Sequence, residues 1–295
     1  MVGPPNGLPR GCGYTPRVPA EQIAQNLALI NWTVLTGLAV GSFAVVVYAR
    51  LRTPATKGYL AFTAFCAAAF GVLAYLSDTA LPAVTAGPVA TAPGFDDARR
   101  LALVAFTFLA LVTTVVIARG GRGVVPGILG LAAGVLALVL GGLTWGASPA
   151  GAALLAFQLV VLALATGGVF AAMILGHWYL VTPKLPEAPL VSVARALALV
   201  VALQLVMFVA WIGLGVGPGA TGSAFAALVG PLALFVWLRL LVGLVFPLVV
   251  CVAAVQTART RSMESATGLL YISVGTIAAG TILAAGLYFG AGLLV

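Results

Sequence analysis

Charged side chains are scarce in this chain, at 7% of its 295 residues. A soluble domain needs about 25% charged residues to solvate its surface, so this composition excludes an ordinary water-soluble fold. Hydrophobic residues make up 62% of the chain, and its apolar runs of about 18–30 residues are long enough to cross a bilayer as helices. They lack the polar–apolar alternation of a membrane β-barrel. We therefore expect an all-α integral membrane protein that contacts membrane lipids.

Residues that hold metals or perform acid–base catalysis are also few. The three cysteines, Cys12, Cys66 and Cys251, are far apart and form no C-x-x-C motif, so zinc or iron–sulfur ligation is not expected. No Asp or Glu falls inside a predicted span, and the Walker and H-E-x-x-H motifs are missing. Hydrolysis and transport through buried carboxylates are therefore disfavoured. We expect a non-catalytic or quinone-reactive subunit rather than a stand-alone enzyme.

The apolar runs predict eight membrane-spanning helices after an irregular N-terminal tail at 1–26. The run 223–258 is too long for one span, because as a helix it would measure about 54 Å against a hydrocarbon core of about 30 Å. It contains Pro231 and Pro247, so we predict a re-entrant or interfacial segment at 223–234 before helix 7. The helices of the transmembrane domain, 27–295, are predicted at about 27–49, 58–77, 99–118, 124–146, 152–181, 195–214, 236–257 and 265–291.

The net charge of +8 does not indicate nucleic-acid binding, because no basic cluster alternates with aromatic residues. Most basic residues follow helices 1, 3, 5 and 7, and the positive-inside rule places such loops in the cytoplasm. We therefore predict a multi-pass protein of the cell inner (cytoplasmic) membrane with both termini outside. These basic residues are Arg50, Arg52, Lys57, Arg119, Arg122, Lys184, Arg195, Arg259 and Arg261.

An internal repeat is visible in helices 1 and 5. The segment from Thr36-Gly37 to Arg50 resembles the segment from Thr166-Gly167 to Lys184, since each passes from Thr-Gly through an apolar stretch to an aromatic and a basic end. This similarity predicts two parallel halves of four helices each.

The chain's one histidine, His177, is a candidate ligand near the end of helix 5. A histidine in a membrane helix is costly and is often functional. Its imidazole could bind a haem b iron or, with Tyr179, donate to a quinone carbonyl. The alternative is an interfacial histidine that belongs to an aromatic anchor with Trp178 and Tyr179. A haem held by two histidines is excluded within this chain, and Met173 lies on the same helix as His177.

Arg239 and Gln204 are the other candidate contacts of a cofactor. Arg239 is the one charged residue deep in an apolar run, and at mid-depth it would need an anionic or strongly polar partner such as a haem propionate or a quinone oxygen. If helix 7 starts near Phe235, Arg239 lies beside Trp237 and extends to the outer interface instead. Gln204 could donate to a buried ligand or could simply bond a neighbouring helix.

Helix 1 resembles the first helix of NrfD-like membrane subunits of the polysulfide-reductase type. The similarity covers Asn31-Trp32 and the run TGLAVGSF from Thr36 to Phe43. The resemblance implies eight or more helices, generally no haem, and electron exchange between a quinone pool and an iron–sulfur partner protein. This chain lacks the intramembrane acidic residues of such subunits, which argues against proton translocation.

The leading functional hypothesis is therefore a membrane subunit of a respiratory-type electron-transfer complex, which contacts quinone or a haem, binds other subunits and pumps no protons itself. One alternative is a small-solute transporter or channel with broken helices near Gly167-Gly168 and Pro231. The other is a structural scaffold subunit whose one ligand is lipid.

Overall fold

Every regular element in the described part of the chain is helical, which confirms the predicted fold class. The computed structural model describes residues 26–81, 88–182 and 184–295, so nearly all of the predicted tail, with Cys12, lies outside the described residues. Eight helices are long and apolar enough to cross a membrane. They are α1 (Leu27–Arg52), α2 (Lys57–Thr79), α3 (Asp96–Ala118), α4 (Val124–Trp145), α5 (Pro149–Val181), α6 (Ala188–Leu214), α7 (Ala233–Arg259) and α8 (Met263–Ala291).

The start of α6 differs most from its predicted position. The helix begins at Ala188 rather than near residue 195, and Pro189 lies in its first turn. A proline there costs little, because the first N–H groups of a helix have no intrahelical partner. The backbone N–H of Val191 donates to the Glu187 carbonyl at 3.0 Å, which continues the helical pattern back to the loop.

The α7 helix is irregular in its middle. It consists of an α-helical part (Ala233–Leu240), a wide π turn (Leu241–Val245) and a second α-helical part (Phe246–Arg259). Pro247 explains part of this irregularity, because it has no N–H to donate to the Gly243 carbonyl four residues earlier. Such π turns are frequent at functional sites.

The segment before α7 forms a connection at the end of α6 and contains no helical half-span. Its regular part is a single 3-10 turn (Ala226–Leu228). The N–H of Phe225 donates to the Ile212 carbonyl at 3.0 Å, and Trp237 Nε1 donates to the Leu228 carbonyl at 3.1 Å. These bonds hold the segment against the ends of α6 and α7.

The eight helices form two four-helix halves, as predicted. In the first half, α1 and α3 each contact both α2 and α4. In the second half, α5 and α7 each contact both α6 and α8. The two halves meet chiefly along α1 and α5, and α4 contacts α5 as α8 contacts α1. Each helix of one half therefore has a counterpart four helices later in the chain.

Glycines allow α1 and α5 to pack backbone against backbone. A Cβ at Gly41 would overlap the carbonyl of Ala163, and one at Gly167 would overlap the backbone of Ser42. Small residues at such positions are the usual device for close packing between membrane helices. The Thr-Gly segments that suggest the repeat thus lie at the interface between the halves.

Candidate functional site

The first polar cluster, the Asp78 cluster, lies at the outer end of the bundle, which we define as the end where α2, α4, α6 and α8 finish. Asp78 is completely buried in the last turns of α2. Arg99 Nε donates to its carboxylate at 2.6 Å and Arg100 Nε at 3.1 Å. Trp32 Nε1 on α1 donates to it at 2.8 Å. The Asp78 carboxylate therefore joins three helices.

Arg99 completes the Asp78 cluster. It is 1% exposed, and its Nη1 donates to Asp96 at 2.8 Å and to the Thr144 hydroxyl at 2.9 Å. Its guanidinium carbon lies 4.7 Å from the ring centroid of Trp145, within the range of a cation–π contact. The two aspartates and the two arginines of this cluster balance in charge, so its evident role is to hold the first half together.

Asp78 corrects the prediction that no carboxylate lies inside a span. The α2 helix ends at Thr79, two residues beyond the predicted end, and therefore includes Asp78. A buried carboxylate is stable there because Arg99, Arg100 and Trp32 provide charge and hydrogen bonds. The sequence carries a signal for this cluster, since the Arg99-Arg100 pair lies near the start of the next helix.

The second polar cluster, the Arg239 cluster, lies inside the second half and consists of Arg239, Gln204 and Gln158. Arg239 is 2% exposed. Its Nη2 donates to Gln204 Oε1 at 3.0 Å, and its Nη1 lies 3.5 Å from the Gly243 carbonyl oxygen. The guanidinium therefore forms its hydrogen bonds inside the bundle, while α7 begins at Ala233, close to the Phe235 start that the interfacial alternative assumed. The guanidinium turns inward and lies against Gly280 of α8, whose missing side chain leaves it room.

The two glutamines of the Arg239 cluster fix its geometry from α5 and α6. Gln204 Nε2 donates to the Val161 carbonyl at 3.2 Å, and Gln158 Nε2 donates to the main-chain oxygen of Val295 at 3.1 Å. Two buried polar atoms of the cluster, Arg239 Nε and Gln158 Oε1, have no hydrogen-bond partner among the described residues. One is a donor and the other an acceptor, and both residues line the same small cavity.

The two clusters occupy related places in the two halves but differ in charge. In the first half the arginine on α3 pairs with a carboxylate on α2; in the second half the arginine on α7 pairs with an amide on α6. No carboxylate of the described residues forms an ion pair with Arg239. An unpaired cation inside a membrane costs at least about 3 kcal/mol. The Arg239 cluster therefore suits a ligand that supplies oxygen atoms.

A small cavity inside this cluster and an outer cavity share the lining residue Val295, and the outer cavity is lined by none of Gln158, Gln204 and Arg239. The cavity among Gln158, Gln204 and Arg239 has a volume of about 10 Å³, which is room for a single water molecule. The outer cavity lies at the outer end and has a volume of about 220 Å³. Its mostly apolar walls come from the end of α6, the connection to α7 and the segment after α8, and include Trp211, Pro231, Leu232, Leu293 and Val295.

His177 and Tyr179 lie far from the Arg239 cluster. The side chain of His177 is exposed on the bundle surface, whereas Tyr179 is 2% exposed and its hydroxyl donates to the Pro186 carbonyl at 2.5 Å. Along α5, Gln158 and Tyr179 are about 30 Å apart at about 1.5 Å per residue. The structure therefore brings Gln204 and Arg239 together and places His177 and Tyr179 at the opposite end.

His177 is exposed on the surface of the bundle, and the haem that the sequence suggests there stays a prediction. Neither the small cavity of the Arg239 cluster nor the outer cavity is lined by the imidazole. Met173 precedes it by one turn on the same helix, so it cannot reach the opposite face of a haem bound to His177. The neighbouring Gly176 lies against Thr267 of α8 and leaves no room for a flat ring.

Comparison of the chain with protein-family models, with curated proteins and with solved structures gave no match. The resemblance of helix 1 to NrfD-like subunits therefore stays a prediction.

Proposed function

We propose that this chain is a membrane subunit of an electron-transfer complex and that it contacts quinone at the Arg239 cluster. The observation that supports this most directly is a buried arginine with no carboxylate partner among the described residues, beside an apolar cavity. Quinone carbonyl oxygens accept hydrogen bonds, and Arg239 Nε is a buried donor without a described acceptor. A quinone therefore supplies what the cluster lacks.

The surroundings of Arg239 suit an amphipathic ligand of this kind. The outer cavity offers an apolar chamber, and binding sites for small molecules are mostly apolar with a few well-placed polar groups. Gln204 holds the guanidinium by its Nη2 atom, and Arg239 Nε has no hydrogen-bond partner among the described residues. In this proposal Gln204 positions Arg239, while Arg239 contacts the ligand.

The proposed subunit pumps no protons by itself, because its buried carboxylate is already in use. Asp78 is the buried acidic residue in the described part of the chain, and it is bound to Arg99 and Arg100. A carboxylate held by two arginines is poorly suited to release and accept protons in a relay. The proposal therefore assigns proton movement to other subunits.

The alternative of a small-solute transporter loses one of the broken helices on which it depends. The α5 helix runs without interruption from Pro149 to Val181, and Gly167 and Gly168 lie within it. An interruption remains in α7 at its π turn. The quinone proposal uses this interruption too, because the Gly243 carbonyl at the π turn faces Arg239.

Fluorescence quenching tests this proposal, because Trp211 lines the outer cavity and quinones quench indole fluorescence. The full chain in mild detergent is titrated with a short-chain quinone, and Arg239→Gln is expected to weaken saturable quenching about tenfold or more, since a buried hydrogen bond to a charged donor contributes about 1.5–3 kcal/mol.

Arg100→Gln is the matched control, because it removes a partly exposed arginine from the other half and should leave quenching unchanged. Trp211→Phe identifies the signal that comes from the cavity. Equal quenching curves for wild type and Arg239→Gln, with both proteins folded, would contradict the proposed site.

A further inference from the structure

A groove lies between the two halves at the inner end of the bundle, where α1 finishes and α6 begins. Both α1 and α6 pack along α5 but barely meet each other, so α5 forms the floor of the space between them. This α1–α6 groove has a volume of about 160 Å³. Its apolar lining includes Val45 of α1, Leu164 and Gly168 of α5, and Val193 and Leu197 of α6.

The α1–α6 groove suits a hydrocarbon chain. Gly168 has no side chain and leaves the floor low, since a Cβ there would lie 3.6 Å from Leu197 Cδ1 and 4.0 Å from Val45 Cγ2. The wall on α6 extends from Val193 to Val200, which is about 10 Å at about 1.5 Å per residue. Because α1 and α6 are both long and apolar enough to cross a membrane, the chain that meets this groove is a lipid acyl chain.

Two hydroxyl groups lie at the inner end of the α1–α6 groove. Tyr48 OH of α1 and Ser192 Oγ of α6 are 2.8 Å apart and form a hydrogen bond between the two helices. Tyr48 also lines the groove and is 37% exposed, so the pair is accessible from outside the bundle. A bond between two hydroxyls uses one of their two hydrogens, so the other remains available to an acceptor.

Two arginines flank this hydroxyl pair. Arg52 follows Tyr48 by four residues on α1, and Arg195 follows Ser192 by three residues on α6. Residues at these spacings are neighbours on a helix surface, and helical side chains tilt toward the N-terminus, so each arginine leans toward the hydroxyl that precedes it. Both arginines are exposed, and neither forms an ion pair among the described residues.

The geometry points to a binding site for one phospholipid with an anionic headgroup. An acyl chain lies in the α1–α6 groove, and the phosphate accepts hydrogen bonds from the hydroxyl pair and from Arg52 and Arg195. Basic pockets between membrane-spanning helices are typical of sites for anionic lipid headgroups. The lipid supplies the negative charge that the two arginines lack. This inference is independent of the proposed function, since the groove is lined by none of Gln158, Gln204 and Arg239.

Native mass spectrometry of the full chain in mild detergent tests this site. The chain is titrated with dioleoyl phosphatidylglycerol and, separately, with dioleoyl phosphatidylcholine, which has the same acyl chains and a headgroup without net charge. We expect the first anionic lipid to bind about tenfold more tightly than the first neutral one, a ratio that corresponds to about 1.4 kcal/mol. Replacing both arginines, Arg52→Gln with Arg195→Gln, should bring the two affinities to within about twofold.

The matched control for the arginines is Arg119→Gln with Arg259→Gln, which removes the same charge from the inner end. Arg119 follows α3 and Arg259 ends α7. Both are exposed and form no ion pair among the described residues, but neither belongs to α1 or α6. This variant should keep the wild-type preference.

Gly168→Leu tests the hydrocarbon part of the site, because its side chain occupies the floor of the α1–α6 groove. It should weaken the binding of phosphatidylglycerol about threefold or more, since an acyl chain excluded from the groove loses its van der Waals contacts. Gly268→Leu is the matched control. Gly268 lies on the exposed surface of α8, and a Cβ there has no atom within 4 Å among the described residues.

Three results would overturn the inference. The first is equal affinity of the wild type for the two lipids. The second is a loss of preference in the Arg119, Arg259 variant as large as in the Arg52, Arg195 variant, because the preference would then come from the charge of the whole inner end. The third is unchanged binding by a folded Gly168→Leu protein. None of these results bears on quinone binding at the Arg239 cluster.

Discussion

Single residues distinguish the two halves of the molecule. Asp78 and Gln204 each bond the buried arginine of the neighbouring helix, yet one is charged and the other neutral. This difference makes the first pair an internal ion pair and leaves the second arginine with spare hydrogen-bonding capacity. The proposed ligand contact therefore falls to the second of these two similar settings.

Loss of the Asp78 charge should destabilise the protein strongly. Asp78→Asn leaves Arg99 and Arg100 facing a neutral amide, and breaking a buried ion pair costs about 3–5 kcal/mol. We expect the lower end of this range, because Asp96 continues to bond Arg99 at 2.8 Å. Thermal unfolding in detergent measures the effect.

The control for this prediction is Asp97→Asn. Asp97 is fully exposed and lies 3.7 Å from Arg100, and exposed ion pairs contribute little. If the two variants unfolded at the same temperature, the Asp78 cluster would not be the structural element that its geometry indicates.

At the scale of the helices, the sequence predicted the spans well and their irregular positions poorly. Hydrophobic length alone placed all eight helices, because lipid forces backbone groups to pair within each span. The length of the apolar run could not show that Asp78 lies inside α2, because the burial of Asp78 depends on Arg99 and Arg100, which come after the next loop. Nor could it show that Arg239 turns inward, because that direction depends on Gln204, Gly243 and Gly280.

The close contact of α1 with α5 makes a sharp prediction about glycine. Gly41→Val should prevent the two helices from meeting, because its side chain would overlap the Ala163 carbonyl and the backbone of Gly167. Backbone overlap cannot be relieved by a side-chain rotation, so we expect loss of the folded protein, seen as aggregation in size-exclusion chromatography.

Gly275→Val is the comparison for that variant. Gly275 is also a glycine of a membrane-spanning helix, but a Cβ built there has no atom within 4 Å among the described residues. A folded Gly41→Val protein with a normal elution volume would show that the helices can separate without loss of structure.

For the whole molecule, the arrangement into two halves agrees with the repeat seen in the sequence. The repeat does not predict how far apart the candidate residues lie. His177 and Tyr179 were grouped with Gln204 by chemical type. Gln158, which belongs to the Arg239 cluster with Gln204, lies about 30 Å from Tyr179 along α5, because α5 is one continuous helix of 33 residues. Grouping residues by chemistry fails when a long helix connects them.

The orientation of the whole molecule is testable by labelling. The positive-inside rule predicts that the connection between α6 and α7 faces outside and the loop between α3 and α4 faces the cytoplasm. Single cysteines at Ala220 and Gly121, in a chain whose three natural cysteines are replaced, should report this with a membrane-impermeable maleimide.

Intact cells should label the cysteine at 220, whereas the cysteine at 121 should react only after the membrane is permeabilised. The reverse pattern would show that the bundle has the opposite orientation in the membrane, with the outer cavity on the cytoplasmic side.

The backbone contact between α1 and α5 also bears on how the protein is made. The first four helices leave the ribosome first, and domains generally fold in that order. Their mutual contacts form a complete ring, but the face of α1 around Gly41 has no partner until α5 follows. The first half is therefore complete before the α5 surface that packs against Gly41 is made, and the half that contains the Arg239 cluster is made last.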